Sequence, residues 1–282
     1  MSTRWQCGRF EFDLKRPVLM GIVNVTPDSF SDGGQHAGSD AAIRHCRKLI
    51  DEGAKILDIG GESTRSGAEP VPLKRELERV LPVVEALRHA DVALSVDTCK
   101  PEVMQAVLDA GADIINDVTG FRLQAAREVI ARHPSCGVCV MHMQGEPRTM
   151  QSAPHYSDVV TEVSDELIGA ARLIETLGVD SARIAVDPGF GFGKTHPHNY
   201  ALLGRLNELV ARGYPVLIGV SRKSMIGAVT GRSIDQRLAG SVAAALLAVT
   251  LGARIVRVHD VGPTRDALSV WEAMTFGVQV NL

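Results

Sequence analysis

Asp97, Asn116 and Asp187 each close a short apolar run, while Arg65, Lys223, Arg257 and His259 stand at or just past three others. A carboxylate accepts two parallel hydrogen bonds, and an amide offers one donor and one acceptor. Together these groups suit a flat heterocycle with a 2-amino-4-oxo edge. A single Asp at such a position more ordinarily caps a helix or closes a turn. Three in equivalent places point to a shared task. The cations describe an anion site, since guanidinium forks match phosphate oxygens and lysine adds a point charge. Arg257 is embedded in the apolar run Ile255-Val256-Arg257-Val258, which speaks against a solvated role; Arg222 fits a solvated surface charge better.

Three other patterns carry less. Gly189 to Thr195 reads like a Walker loop, but Pro188 occupies the place of its first glycine. His196-Pro197 then follows where a helix should begin, and His196 to His198 is expected to decorate a surface loop. The same glycines do not make a G-x-G-x-x-G dinucleotide fingerprint. Cys136 and Cys139, with His142 beyond, have the look of a zinc or redox motif. Their odd spacing within a strand would send the two thiols to opposite faces, with Cys139 in the core.

The elements that must position these residues recur along the chain. Eight short runs rich in Val and Ile (18–23, 56–59, 92–96, 114–115, 138–141, 184–186, 216–220 and 255–258) nearly all end in polar residues, with segments of helical period between them. Pro101 suits a first helical position, Val103, Ala106, Val107 and Ala110 share a face, and Gly111 suits a C-terminal cap. Ile43, Cys46 and Ile50 repeat this after Ser39, read as an N-cap. Short apolar runs alternating with helices predict parallel strands covered by helices. Eight units predict one α/β domain over residues 1–282, a TIM (β/α)8 barrel with its active site at the C-terminal ends of the strands. Residues 1–17 are an N-terminal extension, expected as a short hairpin over the barrel bottom.

Composition narrows the class. The 282 residues are 45% hydrophobic and 22% charged, with a formal net charge of -3 and no basic stripe. Nucleic-acid binding is therefore not expected. The first seventeen residues lack the apolar core of a signal peptide. The most apolar stretch, 241–251, is about half the ~20 residues a bilayer span needs. Five scattered cysteines suit free thiols and a cytoplasmic setting.

Five ordered segments resemble the signatures of one family, the dihydropteroate synthases: residues 20–34, 60–65, 187–194, 221–224 and 257–260. The likeness runs from about residue 18 to residue 260. It implies joining of 6-hydroxymethyl-7,8-dihydropterin diphosphate to 4-aminobenzoate with release of diphosphate. Asp97, Asn116, Met141, Asp187, Gly219 and Lys223 would hold the pterin. Asn24, Thr64, Arg65, Arg257 and His259 would hold the diphosphate, with Asn24 also on Mg2+. Thr64, Phe192, Lys223 and Ser224 would line the aminobenzoate pocket. Asp97, Lys223, Arg257, His259 and Arg65 would carry the catalysis. Sulfonamide inhibitors and a homodimer follow from the same resemblance; the stretch 241–251, more apolar than one barrel face requires, is the candidate interface. The loops over 26–38 and 63–71 are expected to close over the site and exclude water. Two residues depart from the pattern: Ser66 stands where the family usually has Pro, and Cys99 where Ser is common. The rival readings are a pterin-binding methyltransferase barrel, which has no use for the Arg257 and His259 anion grip, and a catalytically silent pterin-binding paralogue.

Overall fold

The computed structural model describes residues 4–26, 34–63, 67–146 and 148–278, with the side chains of 34–37 excepted. The chain opens with an antiparallel hairpin, β1 (Arg4–Cys7) and β2 (Phe10–Asp13). Eight parallel strands follow: β3 (Val18–Asn24), β4 (Ile56–Gly60), β5 (Ala93–Asp97), β6 (Ile114–Asp117), β7 (Gly137–Met141), β8 (Ile184–Asp187), β9 (Leu217–Ile218) and β10 (Ile255–Val258). Their order is sequential from β3 to β8, with β10 beside β3 and β9 beside β10. A single bridge, Val186 to Val216, joins β8 to β9 and closes the ring. This is the TIM barrel that the eight apolar runs predict.

The strands are buried on both faces, as parallel strands between a packed interior and a helical coat must be. Inside the barrel, Met20, Ile56, Ala93, Ile114, Cys139, Ala185, Leu217 and Ile255 form an apolar layer. Trp5, Cys7 and Leu14 of the hairpin region join that layer from the N-terminal end and plug it. The Trp5 indole is fully buried and donates to the Arg183 carbonyl at 3.0 Å.

The helical coat comprises α1 (Gly34–Asp51), α2 (Leu73–Leu87), α3 (Pro101–Ala110), α4 (Gln124–Arg132), α5 (Val159–Glu175), α6 (His196–Gly204), α7 (Leu206–Val210), α8 (Ser224–Thr230), α9 (Leu238–Thr250) and α10 (Val261–Phe276). In α3, Pro101 takes the first turn and Gly111, at φ 109°, ends the helix by donating to the carbonyls of Val107 and Leu108. A left-handed C-cap of this kind suits glycine because it lacks a Cβ.

Three local expectations are corrected. Ser39 lies inside α1, not at its cap; Gln35 and Ala37 have ordinary helix propensity, so one hydroxyl does not decide the start. His196 to His198 form the first turn of α6, not a loop. Thr195 Oγ1 accepts from the His198 N–H at 3.3 Å, and His198 Nδ1 accepts from the Thr195 N–H at 3.3 Å. That reciprocal cap, with proline in the first turn, makes a helix start from residues that look like a breaker. Arg222 is not a free surface charge; its guanidinium is paired with both oxygens of Asp260.

Cys136 packs in the outer core and Cys139 in the interior layer, so the two thiols do face opposite ways. Among the described residues, no helix is long and apolar enough to cross a membrane.

Candidate active site

Side chains along a strand alternate, so the residue two past each interior apolar position points into the barrel one layer higher. Stepping on from Ile56, Ala93, Ile114, Cys139, Ala185, Leu217 and Ile255 gives Asp58, Ser95, Asn116, Met141, Asp187, Gly219 and Arg257. A polar layer therefore rests directly on an apolar one, and above it opens the C-terminal mouth. The register sets Asp58 beside Ser95, and Asp97 beside both Gly60 and Asn116.

Arg257 is the hub of this layer. Its Nε donates to Asp58 Oδ2 at 2.5 Å and its Nη2 to Asp97 Oδ2 at 3.1 Å. Ser95 Oγ donates to Asp58 Oδ1 at 2.6 Å, and Asn116 Nδ2 to Asp58 Oδ2 at 3.2 Å. Asp58 is fully buried, and Asp97 and Asn116 nearly so. Two acids share one guanidinium here, and the balance shows in Asp97. Burial, with the nearby Asp58 charge adding to it, pushes the Asp97 carboxyl well above the usual carboxylate range despite Arg257. Asp187, across the barrel, is likewise raised by burial, against the pull of Lys223 and of the Gly189 N–H that it accepts at 2.7 Å.

Lys223 precedes α8 and reaches back over the mouth. Its ammonium bonds the Phe190 carbonyl and sits 4.7 Å from the centre of the Phe192 ring. Burial lowers its pKa to about 8, with Asp187 opposing that shift. Phe192 packs with Val118, Met141, Met143 and Met150, an apolar wall beside the polar layer. Ser224 begins α8 and is exposed at the rim. His259 is half-buried, with its backbone N–H 3.2 Å and its Nδ1 3.0 Å from Ser221 Oγ. Arg222, between Ser221 and Lys223, holds φ at 58°, a left-handed conformation rare outside glycine. The Asp260 pair and the bond from its N–H to Ser241 Oγ hold it there, and local strain of this kind is found where geometry matters for function.

Asn24 ends β3 opposite Gly60 and is half-buried. Its amide oxygen is the hard donor type that Mg2+ accepts, and a magnesium ion that keeps its waters needs few protein ligands when phosphates supply the rest. Asn24 therefore fits that ion. Thr64, Arg65 and Ser66 lie outside the described residues. At the near edge of that segment, Lys100 bonds both Glu62 and the buried Glu76, the latter at 2.5 Å.

The strands thus gather Asp97, Asn116, Met141, Asp187, Gly219, Lys223 and Arg257 at one end of the barrel, with Asn24 and His259 at neighbouring strand ends. Strand-end reasoning missed Asp58 and Ser95, which lie one layer below the mouth. The signal was present: Asp58 interrupts Ile56-Leu57-Asp58-Ile59 on the same face as Ile56. The Arg257 guanidinium also lies deeper than a rim anion site, on the acids rather than free at the mouth. Lys194, the would-be Walker lysine, is buried against backbone carbonyls and His142.

Comparison with known proteins agrees with this geometry. The family profile described as "Pterin binding enzyme" matches residues 20–259. A dihydropteroate synthase of Neisseria meningitidis serogroup C is 52% identical over 274 residues, covering 96% of this chain and 97% of that protein. The crystal structure of Burkholderia cenocepacia dihydropteroate synthase complexed with 7,8-dihydropteroate superposes with a TM-score of 0.89 at 53% identity, covering 96% of each chain. The Yersinia pestis dihydropteroate synthase with a sulfonamide drug complex gives 0.90 at 45% identity, covering 96% of this chain and 98% of that one. By profile, by sequence and by fold, the chain belongs to the pterin-binding enzymes, in their dihydropteroate synthase branch.

Proposed function

We propose that this chain condenses 6-hydroxymethyl-7,8-dihydropterin diphosphate with 4-aminobenzoate to give 7,8-dihydropteroate and diphosphate. The observation that carries the reading is the polar layer itself: Asp58, Asp97, Asn116 and Asp187 buried around Arg257 and under Lys223. Asp97, Asn116 and Asp187 present acceptors and an amide to the amino-oxo edge and ring N–H groups of the pterin, with Lys223 above and Met141 as apolar wall beside Gly219. Buried acids with no substrate bound are costly to ionise, so the site favours a ligand that brings hydrogen-bond donors to them.

Asn24, Thr64, Arg65 and His259 hold the diphosphate, with Arg257 linking that end to the acids. When bound, Mg2+ would be held by Asn24 together with phosphate oxygens, and it supplies charge neutralisation for the leaving group. The bond between the pterin methylene and its oxygen breaks with the electron pair leaving on diphosphate. The Asp97 carboxylate faces the positive charge that grows on the pterin and lowers its energy. The aniline nitrogen, placed by Thr64, Phe192, Lys223 and Ser224, then donates its lone pair to the methylene carbon, and the resulting anilinium gives its proton to water or to the departing diphosphate. Because the alkylated anilinium is acidic, its deprotonation needs no strong general base.

The decisive experiment is incubation with both substrates and Mg2+, followed by detection of dihydropteroate and diphosphate in equal amounts. Product without diphosphate release, or no product, would overturn the reading. Sulfonamides, as aminobenzoate mimics, should compete with that substrate. The free cysteines support a cytoplasmic setting. A homodimer is proposed through α9 and α10, which pack together and expose Leu247, Val270 and Met274. Light scattering should give a dimer mass that Leu247→Glu with Met274→Glu halves; a monomeric parent protein would refute the interface.

A further inference from the structure

Lys194 has no part in the reading above, yet it is only 2% exposed. A buried ammonium is stable only where several acceptors replace its water. Its Nζ lies 2.8 Å from His142 Nδ1, 3.0 Å from the Phe192 carbonyl, 3.1 Å from the Gly189 carbonyl and 3.4 Å from the His142 carbonyl. Two acceptors therefore belong to the loop after β8, and two to the residue that follows β7. Burial and Lys194 hold the His142 pKa down at about 3, so its ring is neutral. Burial lowers the Lys194 pKa to about 7; as an ammonium it donates to Nδ1, which leaves the ring proton on Nε2.

The loop that Lys194 grips is also held by the Phe192 N–H to the Gly189 carbonyl at 3.0 Å, the Gly189 N–H to Asp187 at 2.7 Å and the Gly191 N–H to Asn199 at 2.7 Å, but its glycines bring no side chains to pack. Gly189 and Gly193 hold φ at 65° and 60°. They also pass so close to the chain after β7 that a Cβ would lie 1.9 Å from the His142 oxygen or 2.5 Å from the Gln144 oxygen. Only glycine fits such places, and glycine leaves a loop free to move unless something ties it. The same loop supplies the Phe190 carbonyl and the Phe192 ring that hold Lys223.

We propose that Lys194 is a positioning residue for the aminobenzoate pocket: it ties the Gly189–Phe192 loop to β7 and thereby fixes Phe192 and the Phe190 carbonyl against Lys223. The inference rests on the proposed assignment of Phe192 and Lys223 to that pocket. Lys194 touches no substrate, so its effect should fall on the substrate bound by the loop. The strand-borne pterin contacts, Asp97, Asn116 and Asp187, should be less affected, because only Lys223 is shared between the loop and the pterin.

The test compares Lys194→Met with Phe192→Ala and with Val83→Ala, a core truncation in α2. Lys194→Met should raise KM for 4-aminobenzoate at least tenfold while KM for the pterin diphosphate moves less than threefold. Val83→Ala lowers the melting temperature and should leave both KM values in place, which separates positioning from general loss of stability. Gln151→Ala releases the exposed bond from Gln151 Nε2 to the Gly191 carbonyl. It should raise the aminobenzoate KM about twofold, and it keeps the idea testable should Lys194→Met not fold. Parallel rises in both KM values for Lys194→Met, or an unchanged aminobenzoate KM in Gln151→Ala, would overturn the inference. If Phe192→Ala shifts the aminobenzoate KM and a folded Lys194→Met does not, the positioning role falls while the pocket assignment stands. If Phe192→Ala also has no effect, the assignment falls and the inference with it.

Discussion

Asp58 and Lys223 show how single side chains set the working pH of this site. In the proposed reading the raised Asp97 must lose its proton to accept with both oxygens and to face the growing positive charge, so kcat/KM for the pterin diphosphate should rise with pH as the acid ionises. Lys223, lowered to about 8, loses its charge as pH rises through that value, so the same parameter should fall above it. Asp97 is raised to about 8 and Lys223 lowered to about 8, so the expected profile is a narrow bell with its maximum near that pH. Replacing Lys223 with Arg, whose charge persists over this range, should lower the plateau and remove the alkaline limb. Asp58→Asn removes a like charge from beside Asp97 and leaves Arg257 to act on Asp97 alone. Both changes favour the Asp97 carboxylate, so the acid limb should move to lower pH. The lost charge-assisted bonds, at about 1.5–3 kcal/mol each in general, should also cost roughly tenfold or more in plateau kcat/KM. An acid limb unmoved by Asp58→Asn would mean that Asp97 does not govern it.

At the scale of elements, strands and loops divide the labour. In the proposed reading the interior strands hold the heterocycle, because their alternation stacks polar side chains on an apolar layer. The same reading gives the substrates that arrive and leave to the strand-end loops. Ser66 lies outside the described residues, in the 63–71 segment that the sequence reads as a loop, and proline there would narrow the set of backbone conformations available to it. Ser66→Pro should therefore change sulfonamide inhibition relative to 4-aminobenzoate affinity, by about threefold or more in the ratio Ki/KM. Equal ratios in the two proteins would show that residue 66 does not tune discrimination. Glycines in these loops are constrained by neighbouring backbone: Gly189→Ala forces a Cβ onto the His142 carbonyl at positive φ. Its expected cost exceeds the ~1–3 kcal/mol of an ordinary strained residue, read as reduced soluble yield or a melting temperature several degrees lower.

Across the whole molecule, stability and chemistry sit at opposite ends of the barrel. The hairpin seals the N-terminal end with Trp5, whose removal empties a large fully buried volume. Trp5→Ala should cost ~3–5 kcal/mol and lower the melting temperature. In protein that remains folded, both KM values should stay near those of the parent chain. A selective loss of substrate affinity in Trp5→Ala would show that the two ends are coupled through the strands.

Chain sequence alone determined the count of eight βα units, the polar strand ends and the ordered segments that mark the family. Each is a local pattern: apolar runs, helical periodicity, and residue types at short spacing. Pro101 and Gly111 bounded α3 because backbone chemistry acts within one turn. Tertiary structure decided which strand-borne groups meet. The stagger of parallel strands set Asp58 of β4 beneath Arg257 of β10, 199 residues away in the chain, and no short-range pattern encodes that register. The same holds for Arg222, which found Asp260, and for Lys194, which found His142. A buried charge is settled by partners that only the closed barrel brings within reach.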